Sequence, residues 1–246
     1  MSIGTTKTTW ALAGVISLAG LAGWYWMQQP GSITLRLHAV ADGQPLRLSE
    51  YRYQNPGGKG EFRVRDFQFY LSNVRLVADE GVYEPAESYH LVRFDNETVS
   101  HEIVFDNVPS HDYHRVEFGL GVDPEANGSI RSVGDLDPNG RMAWNWEVGY
   151  KFILFEGSLR DAGTIIPLVY HIGFDENYIP LAFSTEAAVT PMSNTDIEFS
   201  VDVLRMFTSE ATIDMRALSN VKFDRNDARL MARNLRGMIV LRESVR

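Results

Sequence analysis

Two of the six histidines stand apart from the rest. His90 (ESYHLVRF) and His171 (LVYHIGF) each follow a tyrosine and border an apolar run, so both imidazoles are predicted to be partly buried. A single such histidine is usually just hydrogen-bonded, but two neutral imidazoles that converge suit Cu(I), Cu(II) or Zn(II). The others offer less. His111 and His114 lie in a predicted solvated turn (PSHDYH), and His38 and His101 fall on strand faces read as polar. A second candidate is Asp135-x-Asp137-x-Asn139-Gly140, which matches the opening of a calcium loop. The bidentate Glu such a loop requires is replaced by Trp146, with Glu147 one place late, and no helical flanks are evident. Hard oxygens grouped in this way suit Ca²⁺, while an Asx-rich turn is the plainer reading. A third is the W-x-W pair, Trp144 and Trp146, whose spacing puts both rings on one face of a strand. They are either core packing or a functional pair.

What is missing narrows the chemistry further. With no cysteine there is no disulfide frame, thiolate metal site or Cys nucleophile, and any metal must rest on imidazole, carboxylate, thioether or carbonyl groups. The chain shows no G-x-S-x-G, H-E-x-x-H, P-loop or dinucleotide fingerprint, and no spacing singles out one carboxylate pair. These residues leave an enzyme without support. A net charge of -9, from 32 acidic residues against 23 Lys and Arg, argues against nucleic acid, which needs a basic footprint.

The elements that must position these residues are mostly strands. Ile33, Leu35 and Leu37 alternate with Thr34, Arg36 and His38, and Phe62, Val64, Phe67, Phe69 and Leu71 keep period two except at one step. That step, between Val64 and Phe67, predicts a bulge. Further short runs at 89–94, 99–105, 113–119, 150–156, 165–172, 179–183 and 196–206, separated by turn residues, predict an all-β antiparallel β-sandwich. One helix is expected near the C-terminus, capped by Asn226 over 227–236, with Leu230, Met231, Leu235, Met238 and Ile239 on one face. Residues 118–157 join a Gly-rich turn, the acidic loop and the aromatic run. A loop of that length is generally functional or held by its own contacts.

The N-terminus divides the chain into residues 1–30, an anchor or signal, and a domain over 31–246. Residues 9–27 are uncharged, mostly apolar and about the length of a transmembrane helix. Lys7 precedes them and no charge follows until Arg36, which predicts a cytoplasmic N-terminus and an exported, periplasmic domain tethered to the inner membrane. A secretory signal cleaved after Gly20-Leu21-Ala22 is the alternative; the Trp24-Tyr25-Trp26 belt favours an uncleaved anchor.

Taken in order, FQFYLSNVRLV (67–77), SYHLVRF (88–94), NVPSHDYHRVEFGLGVD (107–123), LDPNGRMAWNWEVGYKFILFEG (136–157), YHIG (170–173) and FSVDVLRMF (199–207) carry a resemblance over nearly the whole domain. Together they resemble the MbnP-like proteins, periplasmic copper-binding partners of MauG-like di-haem proteins of the cytochrome c peroxidase type. The resemblance implies a β-sandwich with a mononuclear copper, Cu(I) favoured, on His90 and His171. In the methane-oxidiser relatives a third ligand is kynurenine, made from tryptophan by the partner. Ser88 stands near His90 where such a tryptophan could have been, so the resemblance leaves Trp144 and Trp146 as the candidates for oxidation. The competing expectation is a β-sandwich without metal that docks a partner through its aromatic loop.

Overall fold

The longest strand of the molecule, Glu61–Ala78, is also its spine. The computed structural model describes residues 25–26, 29–97, 100–129, 134–145 and 149–242. In chain order the strands are β1 (Gly31–Ala41), β2 (Gln44–Pro45), β3 (Tyr53–Gln54), β4 (Glu61–Ala78), β5 (Gly81–Tyr83), β6 (Tyr89–Arg93), β7 (Ser100–Val108) and β8 (Asp112–Leu120). After a short helix α1 (Pro124–Asn127) come β9 (Ala143–Asn145), β10 (Gly149–Asp161), β11 (Thr164–Gly173), β12 (Ile179–Ala188), β13 (Asn194–Asp202) and β14 (Asn220–Val221). Helix α2 (Arg225–Leu235) and strand β15 (Ile239–Leu241) complete the described chain.

These strands form two sheets. The smaller runs β15-β13-β1-β2, with β7 on the other edge of β1. The larger runs β12-β8-β4-β10-β11-β14. In it, β10 and β8 take successive halves of one edge of β4, while β3, β6 and β5 line the opposite edge. The main core fills the space between the sheets. Ile33, Leu35 and Leu37 from one sheet meet Phe62, Phe67, Phe69 and Phe155 from the other, all fully buried. A second cluster lies on the other face of the larger sheet, where Tyr70, Leu91, Tyr150, Phe152 and Leu154 pack with Leu136 and Met142 of the 134–142 segment.

The expected bulge is present: Asp66 pairs with Glu156 and Val64 with Gly157, so Arg65 is the extra residue. It is what keeps Phe62 and Val64 in phase with Phe67 and Phe69. The sandwich is mostly antiparallel, but β1 pairs parallel with β13 and β11 parallel with β14. Parallel pairs need long connections, which local alternation does not register.

The C-terminal helix starts earlier than predicted. Asp224, not Asn226, is its N-cap, its carboxylate accepting the N–H groups of Asn226 and Asp227. A charged acceptor at a helix N-terminus outcompetes a neutral amide. The helix also ends sooner, and Ile239 opens β15 instead of extending it. No helix among the described residues is long and apolar enough to cross a membrane. The 9–27 expectation lies outside the described residues, apart from Tyr25 and Trp26, which are exposed.

Candidate functional site

His90 lies on β6 opposite Leu71 of β4, and cross-strand partners share a face. Leu71 belongs to the main core, and the His90 ring meets Phe105 of the facing sheet edge-on at 5.4 Å. His90 therefore points inward, between the sheets. Its Nε2 is buried with no hydrogen-bond partner. Burial pushes its pKa below the ordinary histidine value; Glu87 and Asp135 oppose the shift, and His101 adds to it. The imidazole is thus neutral near pH 7, with a ring nitrogen left unsatisfied.

His171 lies on β11 opposite Leu154 of β10, and Leu154 packs in the second cluster on the outer face. Its Nε2 is 3.1 Å from Glu156 Oε1. Arg65 donates to Glu156 at 2.6 Å, and Arg141 lies 3.4 Å from the same carboxylate. Burial opposes the charge on Glu156, but the hydrogen bonds from Arg65 and His171 outweigh it and hold the carboxyl below its usual range. Burial likewise lowers His171, against the pull of Glu156, with Lys151 and Lys222 adding repulsion. A neutral His171 donating its Nε2–H to a carboxylate satisfies both groups.

The expected pairing of His90 with His171 is therefore corrected. The two residues occupy opposite faces of one sheet, and β6, β4, β10 and β11 are consecutive neighbours across it. Three inter-strand steps separate them by roughly 14 Å. Metal–nitrogen bonds of about 2 Å cannot bridge that distance. Both segments read Tyr-His beside an apolar run, which carries no information about which face of the sheet each histidine takes.

The structure brings another histidine toward His90. His101, read from sequence as facing a polar surface, sits on β7 opposite Leu37, a fully buried core residue. Burial lowers its pKa, while the Arg93 backbone and Asp135 act in the other direction. His101 shares the period-two phase of Ile103 and Phe105, both buried, and that phase was the available signal. The segment from β6 to β7 crosses from the larger sheet to the smaller, so both imidazoles project into the interlayer space, within electrostatic reach of each other. His38 stays on the outer face, 3.3 Å from Glu198; His111 is half-buried beside Glu80, and His114 is exposed beside Asp79.

The acidic loop spends its oxygens on backbone. Asp135 accepts the Leu91 N–H at 2.7 Å and donates its own N–H to the Tyr89 carbonyl, closing the free edge of β6. Asp137 accepts the Asn139 N–H at 2.8 Å, and the Gly140 N–H donates to the Asp137 carbonyl. This is an Asx turn. Among the described residues no group of three or more His, Asp or Glu could hold a metal ion.

Trp144 lies on β9, half-buried, between Phe174 and Phe223 at 5.2 and 5.4 Å. Gly173 makes room for it: a Cβ there would stand 2.7 Å from the indole. Trp146 lies outside the described residues.

Fold and site together define a two-sheet β-sandwich with most of its histidines on strands, and with the inward-facing His90 carrying a buried ring nitrogen that has no hydrogen-bond partner. The family model described as MbnP matches residues 30–227, and the chain belongs to that family. Among solved structures it is similar to MbnP from Methylosinus trichosporium, with 17% identity, a TM-score of 0.53, and 76% of this chain and 80% of that one covered. At that identity the likeness speaks for the fold. No curated protein matches the chain.

Proposed function

We propose that this chain is an exported copper-binding protein, not an enzyme, and that His90 and His101 hold the metal. The observation that carries this reading is the buried, unpaired Nε2 of His90. An uncompensated buried nitrogen costs free energy, and a metal ion is one partner that repays it. Burial keeps both imidazoles neutral, the form that ligates. The donor set also fits a particular metal. Two imidazoles without a cluster of carboxylates suit a soft ion of low coordination number, hence Cu(I) over Cu(II) or Ca²⁺. Bound copper would supply a soft-acid centre for storage, delivery or sensing; the protein's part is to fix the two rings and exclude water, with Phe105 packed edge-on with His90.

Family membership supports a MauG-like di-haem partner as well. Of the W-x-W pair, Trp144 is the described residue that such a partner would oxidise, since it lies half-buried within an aromatic stack. The 9–27 segment supports placement on the periplasmic side of the inner membrane, as an anchor or signal.

The test is metal analysis after Cu(I) loading and desalting. The parent is expected to retain one copper, His90→Ala and His101→Ala none, and His171→Ala one. Retention by the first two variants, or loss by the third, would sink this assignment.

A further inference from the structure

Among the described methionines, one stands apart. Met206, Met215, Met231 and Met238 are fully buried and Met142 is 2% exposed, as suits a soft side chain that fills gaps in a core. Met192 is 80% exposed. It lies in the turn between β12 and β13, which receives the start of β1.

Neither packing nor backbone geometry accounts for a methionine there. The turn is held by main chain and hydroxyl groups. The Met192 N–H donates to the Pro30 carbonyl at 3.0 Å, the Ser32 N–H to the Ser193 carbonyl at 2.8 Å, and the Ser193 hydroxyl to the Thr190 carbonyl at 2.8 Å. The Met192 side chain enters none of these bonds. Its φ is 57, in the left-handed region that suits glycine or asparagine and costs a bulkier residue free energy. A residue that neither packs nor relieves the backbone contributes through its own chemistry, and for methionine that is the thioether.

We propose that Met192 is a redox-modification site, whose thioether takes up oxygen from hydrogen peroxide before any other described methionine. The sulfur lone pair attacks one peroxide oxygen, and the S–O bond forms as the O–O bond breaks. The hydroxide that leaves takes the proton of the new S–OH group and departs as water. Sulfur gives up two electrons and peroxide gains them. The product is a sulfoxide, a polar group that methionine sulfoxide reductases return to the thioether. On the buried methionines a sulfoxide would place an unpaired polar oxygen in the core, and peroxide reaches those sulfurs only when the fold opens. On Met192 the new oxygen stays in water, so the folded protein accepts it without loss. The turn thus presents a reversible acceptor of peroxide at the surface.

The experiment is timed exposure of the copper-free full chain to hydrogen peroxide, with a metal chelator present, followed by mass spectrometry of its fragmented peptides. A gain of about 16 Da, one oxygen, is expected at Met192 at least ~10-fold faster than at Met142, Met206, Met215, Met231 or Met238. Unfolding the chain in denaturant should bring the six rates together. Met192→Leu is expected to lose the fast phase and keep the slow ones. Met192→Asn is expected to unfold at the same denaturant midpoint as the parent or a higher one, because asparagine tolerates the left-handed region and no packing is lost. Oxidation of Met192 no faster than of the buried methionines would overturn the proposal. A lower midpoint for Met192→Asn would overturn it too, by giving the side chain a structural role.

Discussion

His90 and His171 sit in nearly the same local sequence and have opposite fates. His171 lies on the outer face, its Nε2 satisfied by Glu156, which Arg65 and Arg141 hold in turn. His90 lies on the inner face, beside Phe105, with its Nε2 unsatisfied. Both are pushed toward neutrality by burial, so protonation state does not distinguish them. What distinguishes them is whether the fold has already supplied a partner. A histidine locked to a carboxylate is part of the structure, while one buried without a partner is kept for something else.

The sharpest way to break this contrast is to weigh copper against each residue. His90→Ala is expected to weaken Cu(I) affinity by more than about 100-fold, beyond what loss of an outer-shell contact costs, while His171→Ala leaves it within a few-fold. A competition titration with a Cu(I) chelator reads this directly, and equal losses would erase the distinction.

Stability should run the other way. Glu156→Ala strands a buried imidazole and two guanidinium groups and is expected to cost about 1–3 kcal/mol by denaturant titration of the copper-free protein. His90→Leu removes an unsatisfied polar atom and should be neutral or stabilising. If His90→Leu costs more than Glu156→Ala, the two environments have been misread.

Acid sharpens the comparison. The folded-state pKa values of His90, His101 and His171 are all lowered, so the unfolded chain takes up protons first. Their neutral forms contribute stability fully above the unfolded histidine value of about 6.5, and that contribution is lost as pH falls through the lower folded values. Stability of the copper-free protein should decline over this window, and His90→Leu should flatten the slope. An unchanged slope would mean that His90 does not resist protonation. Bound copper should hold off the decline at His90 and His101 but not at His171.

The smallest effects belong to the ring of charges around Glu156. Arg65 and Arg141 have well-exposed side chains, at 63% and 61%. Replacing either with Met is expected to change stability by under about 1 kcal/mol, because solvent screens exposed pairs. A larger loss from either would show the Glu156 cluster to be a tightly coupled unit.

Much of the scaffold was legible in the sequence. Alternation at Ile33, Leu35 and Leu37 gave the inward face of β1, and the broken phase between Val64 and Phe67 gave the bulge at Arg65. The motifs spread through the chain gave the family. These are local signals, since a strand's two faces and an extra residue within it are written in consecutive side chains. The site was legible only in part. His90 was identified, yet its expected companion was not the residue that the fold brings near it, and the phase of β7 that places His101 inside was read the wrong way. The acidic loop has the residue types of a cation site, but its Asp135 and Asp137 side chains accept backbone N–H groups, as the plainer reading of an Asx-rich turn expects.

Local alternation and composition mark most of the strands, group the side chains that share a strand face, and leave any metal without a thiolate ligand. Packing and strand order settle which of the sheet's two faces meets the other sheet, that β6 and β11 stand three strands apart, and that Glu156 reaches His171 while no described group reaches His90 Nε2. The physical reason is that period-two alternation fixes a side chain's face relative to its neighbours in the chain, but strand order is set by connections tens of residues long. Convergence of two side chains is a property of that order.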